Sequence, residues 1–135
     1  MDTKFNETIE YFLNCADKGK VELIVEIYDT KFECVRIADE GGFVKMNREQ
    51  MVAFWAKYVP GVSLPNMTNA ETVPMKHTVI HHTEIIGGLG IVLLTRIKNI
   101  GNGWEPMFYN LIWKKINDEW KLLREFVHQK TVPRW

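Results

Sequence analysis

The C-terminal half of the chain is four extended segments in a row, and nothing else in the sequence limits the fold as much. Met75 to Ile86, Leu89 to Ile100, Pro106 to Ile116 and Glu119 to His128 are separated by Gly87-Gly88, Gly101-Asn102-Gly103 and Asn117-Asp118. These separators are turn chemistry, and short turns between neighbouring strands dictate antiparallel hairpins. Several of the segments carry apolar residues on both faces, as in Ile91-Val92-Leu93-Leu94 and Leu111-Ile112-Trp113. Helices can cover one face. The other would remain as a large exposed apolar patch, so a second copy of the sheet is expected against it, giving a homodimer through the outer sheet face.

The preceding residues supply the helices. Phe5, Ile9, Phe12, Leu13 and Ala16 fall at helical spacing and the pattern stops at Lys18-Gly19, which predicts a helix from about Thr3 to Asp17. Val21, Ile24, Ile27 and Tyr28 share one face of a second, shorter helix, interrupted by Asp29-Thr30. A strand follows over Phe32 to Ile37, where β-branched residues rise, with a turn at Asp39 to Gly42. At Asn47 the side chain can cap a helix while Gln50 reciprocates, with Met46 and Met51 placed as a hydrophobic staple. Met51, Phe54, Trp55 and Tyr58 line this third helix, which ends before Pro60-Gly61. The stretch from Val59 to Pro74 carries three prolines and no periodicity, and connections of that length often cover a site. Helices first and a meander afterwards is an α+β arrangement.

At 135 residues the chain is expected to form one domain, residues 1–135, with a core that needs no staples. Its 17 basic and 17 acidic side chains argue against nucleic acid or an anionic membrane as partner, because those surfaces are held by clustered cations. The first residues lack a basic start and a continuous apolar run, so a cytoplasmic location is expected, with Cys15 and Cys34 as buried reduced thiols.

The helix-Gly19-helix before Tyr28, the capped helix at Asn47 and Trp120-Lys121-Leu122-Leu123 after an Asn-Asp turn together resemble the nuclear transport factor 2-like superfamily. The resemblance spans nearly the whole chain. From Tyr109 to His128 it is similar to the closing hairpin of the SnoaL-like and lumazine-binding subfamilies, where a strand ends in lysine and the next opens with tryptophan, lysine and an aliphatic pair. It implies a cone-shaped curved antiparallel sheet with three N-terminal helices, a cystatin-like roll, whose open end admits small molecules. Isomerases, dehydratases, cyclases and pockets without known chemistry share that fold, so fold alone does not decide function.

Ketosteroid isomerase relatives use a tyrosine in the first helix and carboxyl groups on two strands. The corresponding places here hold Phe12, Arg36 and Tyr109. Phe12 has no hydroxyl and Arg36 cannot serve as a carboxylate base, so that mechanism is rejected, though Tyr109 can still donate a hydrogen bond. His77 and His81 share a strand face about 13 Å apart at ~3.3 Å per residue, and His82 is expected on the opposite side, so the three cannot hold one metal. A metal site would need a carboxylate or His128 from another strand, and none is expected. His81 reads as a surface imidazole or as a pocket acid/base. Glu125 has two readings as well: an inward base made useful by apolar neighbours, or a structural ion pair with Arg96 or Arg36. The inward face of the last strand is expected to be Lys121, Leu123, Glu125 and Val127, leaving Trp120, Leu122 and Phe126 for the dimer.

The residues expected at the pocket are therefore Tyr109, Trp113, Arg36 and Trp55 for ligand binding, with Glu125 or His81 for acid-base work and no cofactor. An aromatic-walled pocket with few polar groups suits a flat or mostly apolar compound. The alternatives are a cofactorless SnoaL-like isomerase, dehydratase or cyclase acting by proton transfer, and a dimeric interaction domain whose pocket is filled by its own side chains.

Overall fold

Asn47 and Gln50 make the reciprocal cap that their spacing predicts. The Gln50 backbone N–H donates to Asn47 Oδ1 and the Asn47 N–H to Gln50 Oε1, both at 2.9 Å. This cap opens one of three helices in the computed structural model, which describes residues 3–17, 20–39, 41–58, 78–99 and 104–129. In chain order the elements are α1 (Thr3–Asp17), α2 (Val21–Ile27), β1 (Tyr28–Ala38), β2 (Phe43–Asn47), α3 (Arg48–Tyr58), β3 (Thr78–Ile86), β4 (Leu89–Asn99), β5 (Trp104–Ile116) and β6 (Glu119–Gln129). The proline-bearing stretch from Val59 to Pro74 and His77 lie outside the described residues.

One six-stranded sheet runs in the order β2-β1-β6-β5-β4-β3. The pairs β3–β4, β4–β5 and β5–β6 are antiparallel, as is β1–β2, while the expected turn at Gly101-Asn102-Gly103 lies outside the described residues. The β1–β6 pairing is parallel, so the sheet is mixed rather than wholly antiparallel. Its cause is topological: β1 enters from the helices and must lie beside the last strand in the same direction. At the β5–β6 turn Asn117 and Asp118 both have positive φ, 50° and 64°, the geometry that a two-residue hairpin needs and that Asn and Asp tolerate.

The first two strands differ from expectation. Tyr28 leaves helical geometry at φ −69° and ψ 133° and begins β1, so the strand starts four residues before Phe32. Strand β2 was absent from the sequence reading because its residues alternate too weakly and adjoin the cap of α3.

The helices cover one face of the sheet. Phe5, Ile9, Phe12 and Leu13 of α1, Ile24 of α2 and Met51 of α3 join Val92, Leu94, Leu111, Trp113, Trp120 and Leu122 in a continuous core. Phe5 works as a wedge. Its ring lies over Gly90, where an added Cβ would fall 2.5 Å from it, and meets the Trp120 ring at 4.6 Å and the Trp113 ring at 6.3 Å edge-on.

Bulges decide which way the strands face. Ile112 pairs with Arg124 and Trp113 with Leu122, so Leu123 is an extra residue in β6. Trp120 and Leu122 before the bulge and Glu125, Val127 and Gln129 after it therefore all point inward and are buried. Glu125 and Val127 face as expected, and so does the half-exposed Phe126; Lys121, Leu123, Trp120 and Leu122 do not, because strict alternation fails across an inserted residue. The Arg124 guanidinium fastens the bulge, donating to the carbonyls of Lys31 and Leu123, each at 2.8 Å. A second bulge inserts His81 between Ile80, opposite Leu94, and His82, opposite Leu93.

Candidate functional site

Arg36 on β1 and Glu125 on β6 face into the core from adjacent parallel strands, each almost fully buried. Their ion pair is 3.6 Å, Arg36 Nη2 to Glu125 Oε2, too long for a direct hydrogen bond. Arg36 Nη1 donates to Gln129 Oε1 at 3.1 Å, and its guanidinium carbon stands 5.2 Å from the Phe54 ring centre. The Cys34 thiol, in register with Glu125, donates to the same Oε2 at 3.2 Å. Arg36 Nε is buried and has no hydrogen-bond partner among the described residues. The guanidinium is thus well held at one end, loosely at another and unserved at the third.

Electrostatics keep this cluster charged where it is charged and neutral where it is neutral. Burial, reinforced by the negative Glu125, pushes the Cys34 thiol well above the ordinary thiol range, so it stays protonated and donates. Burial works against the Arg36 charge, yet the surrounding groups, the Glu125 carboxylate among them, outweigh it and hold the guanidinium above its usual value. Arg96, buried on β4, is drawn down by desolvation, which Tyr109 and Glu125 partly oppose; its Nε donates to Thr78 Oγ1 at 3.2 Å.

These groups border a small chamber between sheet and helices, with a free volume of about 20 Å³. Arg36, Glu125, Arg96 and Tyr109 are its polar wall, and Phe12, Leu13 and Met51 are among the apolar side chains opposite. A void of that size holds one or two waters, or a ligand group as small, and lies far below the few hundred Å³ of a pocket for a whole drug-sized molecule. Phe12, Arg36 and Tyr109, matched by position alone in the sequence, do meet here.

The remaining nominated residues separate. Trp113 is fully buried in the core, edge-on to Phe12 at 5.5 Å, with its Nε1–H lacking an acceptor among the described residues. Trp55 lies on α3 with its side chain outside the described residues. His81 is on the other face of the sheet, its Nε2 2.6 Å from Thr95 Oγ1, and so is not beside Glu125. The bulge also puts His82 on that outer face, opposite Leu93, correcting the expectation that the two histidines point apart. Of the two readings of Glu125, the ion pair with Arg36 is the one formed. Cys34, expected only as a buried thiol, and Gln129 were not expected at the site; their alternation with Arg36 and Glu125 along adjoining strands was the available signal, but it required knowing that β1 pairs with β6.

The helices leave a mixed six-stranded sheet whose long strands curve around one buried polar cluster. No family model and no curated protein matches the sequence. Solved structures do match in shape. An NTF-2-like protein of unknown function from Silicibacter pomeroyi superposes with a TM-score of 0.70 over 94% of this chain and 93% of its own, at 10% identity. This chain has the NTF2-like fold. A second NTF-2-like protein of unknown function, from Shewanella oneidensis, gives a TM-score of 0.67 at 13% identity, covering 95% of this chain and 99% of its own. An NTF2-like protein with a cystatin-like fold from Novosphingobium aromaticivorans gives 0.59 at 11% identity, over 94% and 80%. The NTF2-like architecture therefore agrees with the α+β expectation, and at these identities the likeness concerns the fold alone.

The outer face of the NTF2-like sheet is the second notable surface. It holds a shallow hollow of about 320 Å³ whose lining includes Ile37, Leu93, Phe108, Asn110 and Phe126, with His81 and His128 at its border. Among the described residues no helix is long and apolar enough to cross a membrane, and no three His, Cys, Asp or Glu side chains gather as a metal site.

Proposed function

We propose that this protein binds a small molecule by an acceptor-tipped end, a carbonyl or carboxylate, inserted beside Arg36, and that its outer sheet face seats a second copy. The observation that carries the binding reading is that Arg36, whose Nε–H is buried without an acceptor among the described residues, lines a chamber with free volume. A buried donor without an acceptor costs about 1–3 kcal/mol, which a ligand oxygen or a trapped water recovers. The size of the chamber limits what enters it to a polar tip of a few atoms, so the body of the expected flat apolar compound lies outside it.

Proton-transfer catalysis gains less support. Glu125 is already engaged by Cys34 and Arg36, and the other base, His81, lies across the sheet.

The test is ligand-induced thermal stabilisation with a panel of small carboxylates and ketones, on the parent and on the double variant Arg36→Met/Glu125→Gln. That variant removes both members of the ion pair together, so neither is stranded by the loss of the other. The expected result is a rise in melting temperature for at least one compound class with the parent and none with the folded double variant. An equal rise in both would overturn the role of Arg36, and no rise with any compound would overturn the binding reading.

A further inference from the structure

We infer that the tip taken into the chamber is a monovalent anion, a carboxylate, held between Arg36 and Arg96. The inference rests on the binding reading above and goes further by choosing the anion over the neutral carbonyl and by giving Arg96 a part in holding it.

The first argument is where the molecule buries its charge. Among the described residues the buried polar or charged side chains are Arg36, Arg96, Glu125 and Gln129. The three charged ones, from β1, β4 and β6, line the same chamber, and Gln129 accepts from Arg36. Two guanidiniums thus share this wall with one carboxylate. Surplus positive charge in a low-dielectric interior favours an anion over any neutral guest.

The second argument is how thinly that carboxylate is shared. Glu125 stands 3.6 Å from Arg36 and accepts from the Cys34 thiol, which stays protonated and adds no charge. Arg96 feels the same carboxylate across the chamber, yet desolvation outweighs what Glu125 and Tyr109 return to it. The partner of its Nε, Thr78 Oγ1 at 3.2 Å, is a neutral acceptor. An arriving negative charge therefore strengthens both guanidiniums at once.

Size and shape name the anion. A free volume of about 20 Å³ is too small for sulfate or phosphate, which would also bring a second charge that the wall does not balance. A carboxylate end presents two acceptor oxygens in one plane, the match of a guanidinium fork, whereas a halide has the charge without the paired acceptors. Arg36 has a donor to give, since its Nε–H is buried without an acceptor among the described residues.

The experiment follows the arginine Nε–H signals of the isotope-labelled full chain by nuclear magnetic resonance during titration at constant ionic strength. The probes are formate, benzoate, their neutral counterparts formamide and benzamide, and chloride. On the parent each carboxylate is expected to bind roughly tenfold or more tightly than its amide, the order that a unit charge several Å away exerts at an effective dielectric constant of about 20. Arg96→Met brings the wall to neutrality, and the preference is expected to shrink to within about twofold. Glu125→Gln removes the competing carboxylate, and formate is expected to bind roughly tenfold more tightly than to the parent. Benzoate tighter than formate marks the end of a larger apolar compound, and equal affinity marks a free small carboxylate; either upholds the anion. Amides that move the Arg36 signal as readily as the acids overturn the anion and leave the binding reading standing. No probe moving that signal overturns the binding reading and this inference with it. Chloride as tight as formate overturns the carboxylate, and a preference kept in full by Arg96→Met overturns the part given to Arg96. Should that variant not fold, a Glu125→Gln protein that binds formate no more tightly than the parent overturns the charge account.

Discussion

Removing Arg36 alone strands a carboxylate. In Arg36→Met the methionine replaces most of the aliphatic stem, but Glu125, 3% exposed, loses the cation it is paired with and keeps the Cys34 thiol as donor and the field of Arg96. Gln129 Oε1 loses its 3.1 Å donor as well. Breaking one side of a buried pair costs about 3–5 kcal/mol, since the remaining charge has neither water nor partner. For a chain of this size roughly 4 °C of melting temperature corresponds to each kcal/mol, so the fall should be roughly 12–20 °C. Adding Glu125→Gln removes the stranded charge while its amide oxygen still accepts from Cys34. The double variant should return to within about 1 kcal/mol of the parent, a non-additivity of at least about 2 kcal/mol between neighbouring residues. Urea unfolding of the four proteins in the cycle measures it. If Arg36→Met alone lies within about 1 kcal/mol of the parent, or the double variant is as unstable as the single, the two side chains are not a coupled buried pair and the account of the chamber's polar wall fails.

Three further outcomes follow from the packing and the charges. Gly90→Ala pushes a methyl group into the Phe5 ring, which Trp113 and Trp120 keep from retreating, and should cost about 1–3 kcal/mol in chemical denaturation, partly recovered by adding Phe5→Leu; a variant as stable as the parent refutes the wedge. Cys34 is held protonated by burial and by Glu125, and Cys15 is buried, so neither thiol should react with Ellman's reagent at pH 8 until urea opens the fold; rapid labelling of Cys34 in the native state would contradict this. The Glu33 carboxyl lies below its ordinary value, chiefly through its hydrogen bond from Lys45 and then the charges of Lys45 and Arg124, so its contribution to stability is present above the unfolded value near pH 4.3 and fades as pH falls through the lower folded value. Glu33→Gln should flatten that part of the stability-pH curve, and an unchanged acid limb would show that the pair is inactive.

Where local chemistry alone decides an element, it was readable. The Asn47–Gln50 cap, the span of α1 and the turns at Gly87-Gly88 and Asn117-Asp118 depend on neighbours a few residues apart. The inward setting of Glu125 was also anticipated, but for an incomplete reason, since the Leu123 bulge lies between it and the tryptophan end of the strand. A bulge is one inserted residue whose cost and benefit belong to the pairing, so no period within β6 reveals it. The same holds for His81 and His82, which an inserted residue turns to one face. The polar chamber was half legible: Arg36, Tyr109 and Glu125 were singled out, whereas Cys34 and Gln129 entered only with the parallel β1–β6 register.

That register ties the start of the sheet to its finish. Cys34 and Glu125 are separated by 91 positions, and Arg36 and Gln129 by 93. During synthesis the guanidinium therefore emerges long before any carboxylate can reach it, and β1 has only β2 as a neighbour until the final strand leaves the ribosome. Closing loops of this length delays folding, because the entropy of bringing the ends together is lost before the contacts repay it. A chain that stopped short of β6 would expose the β1 edge and leave Arg36 without its counterion, so the first strand of the sheet stays unfinished until the sixth has been made.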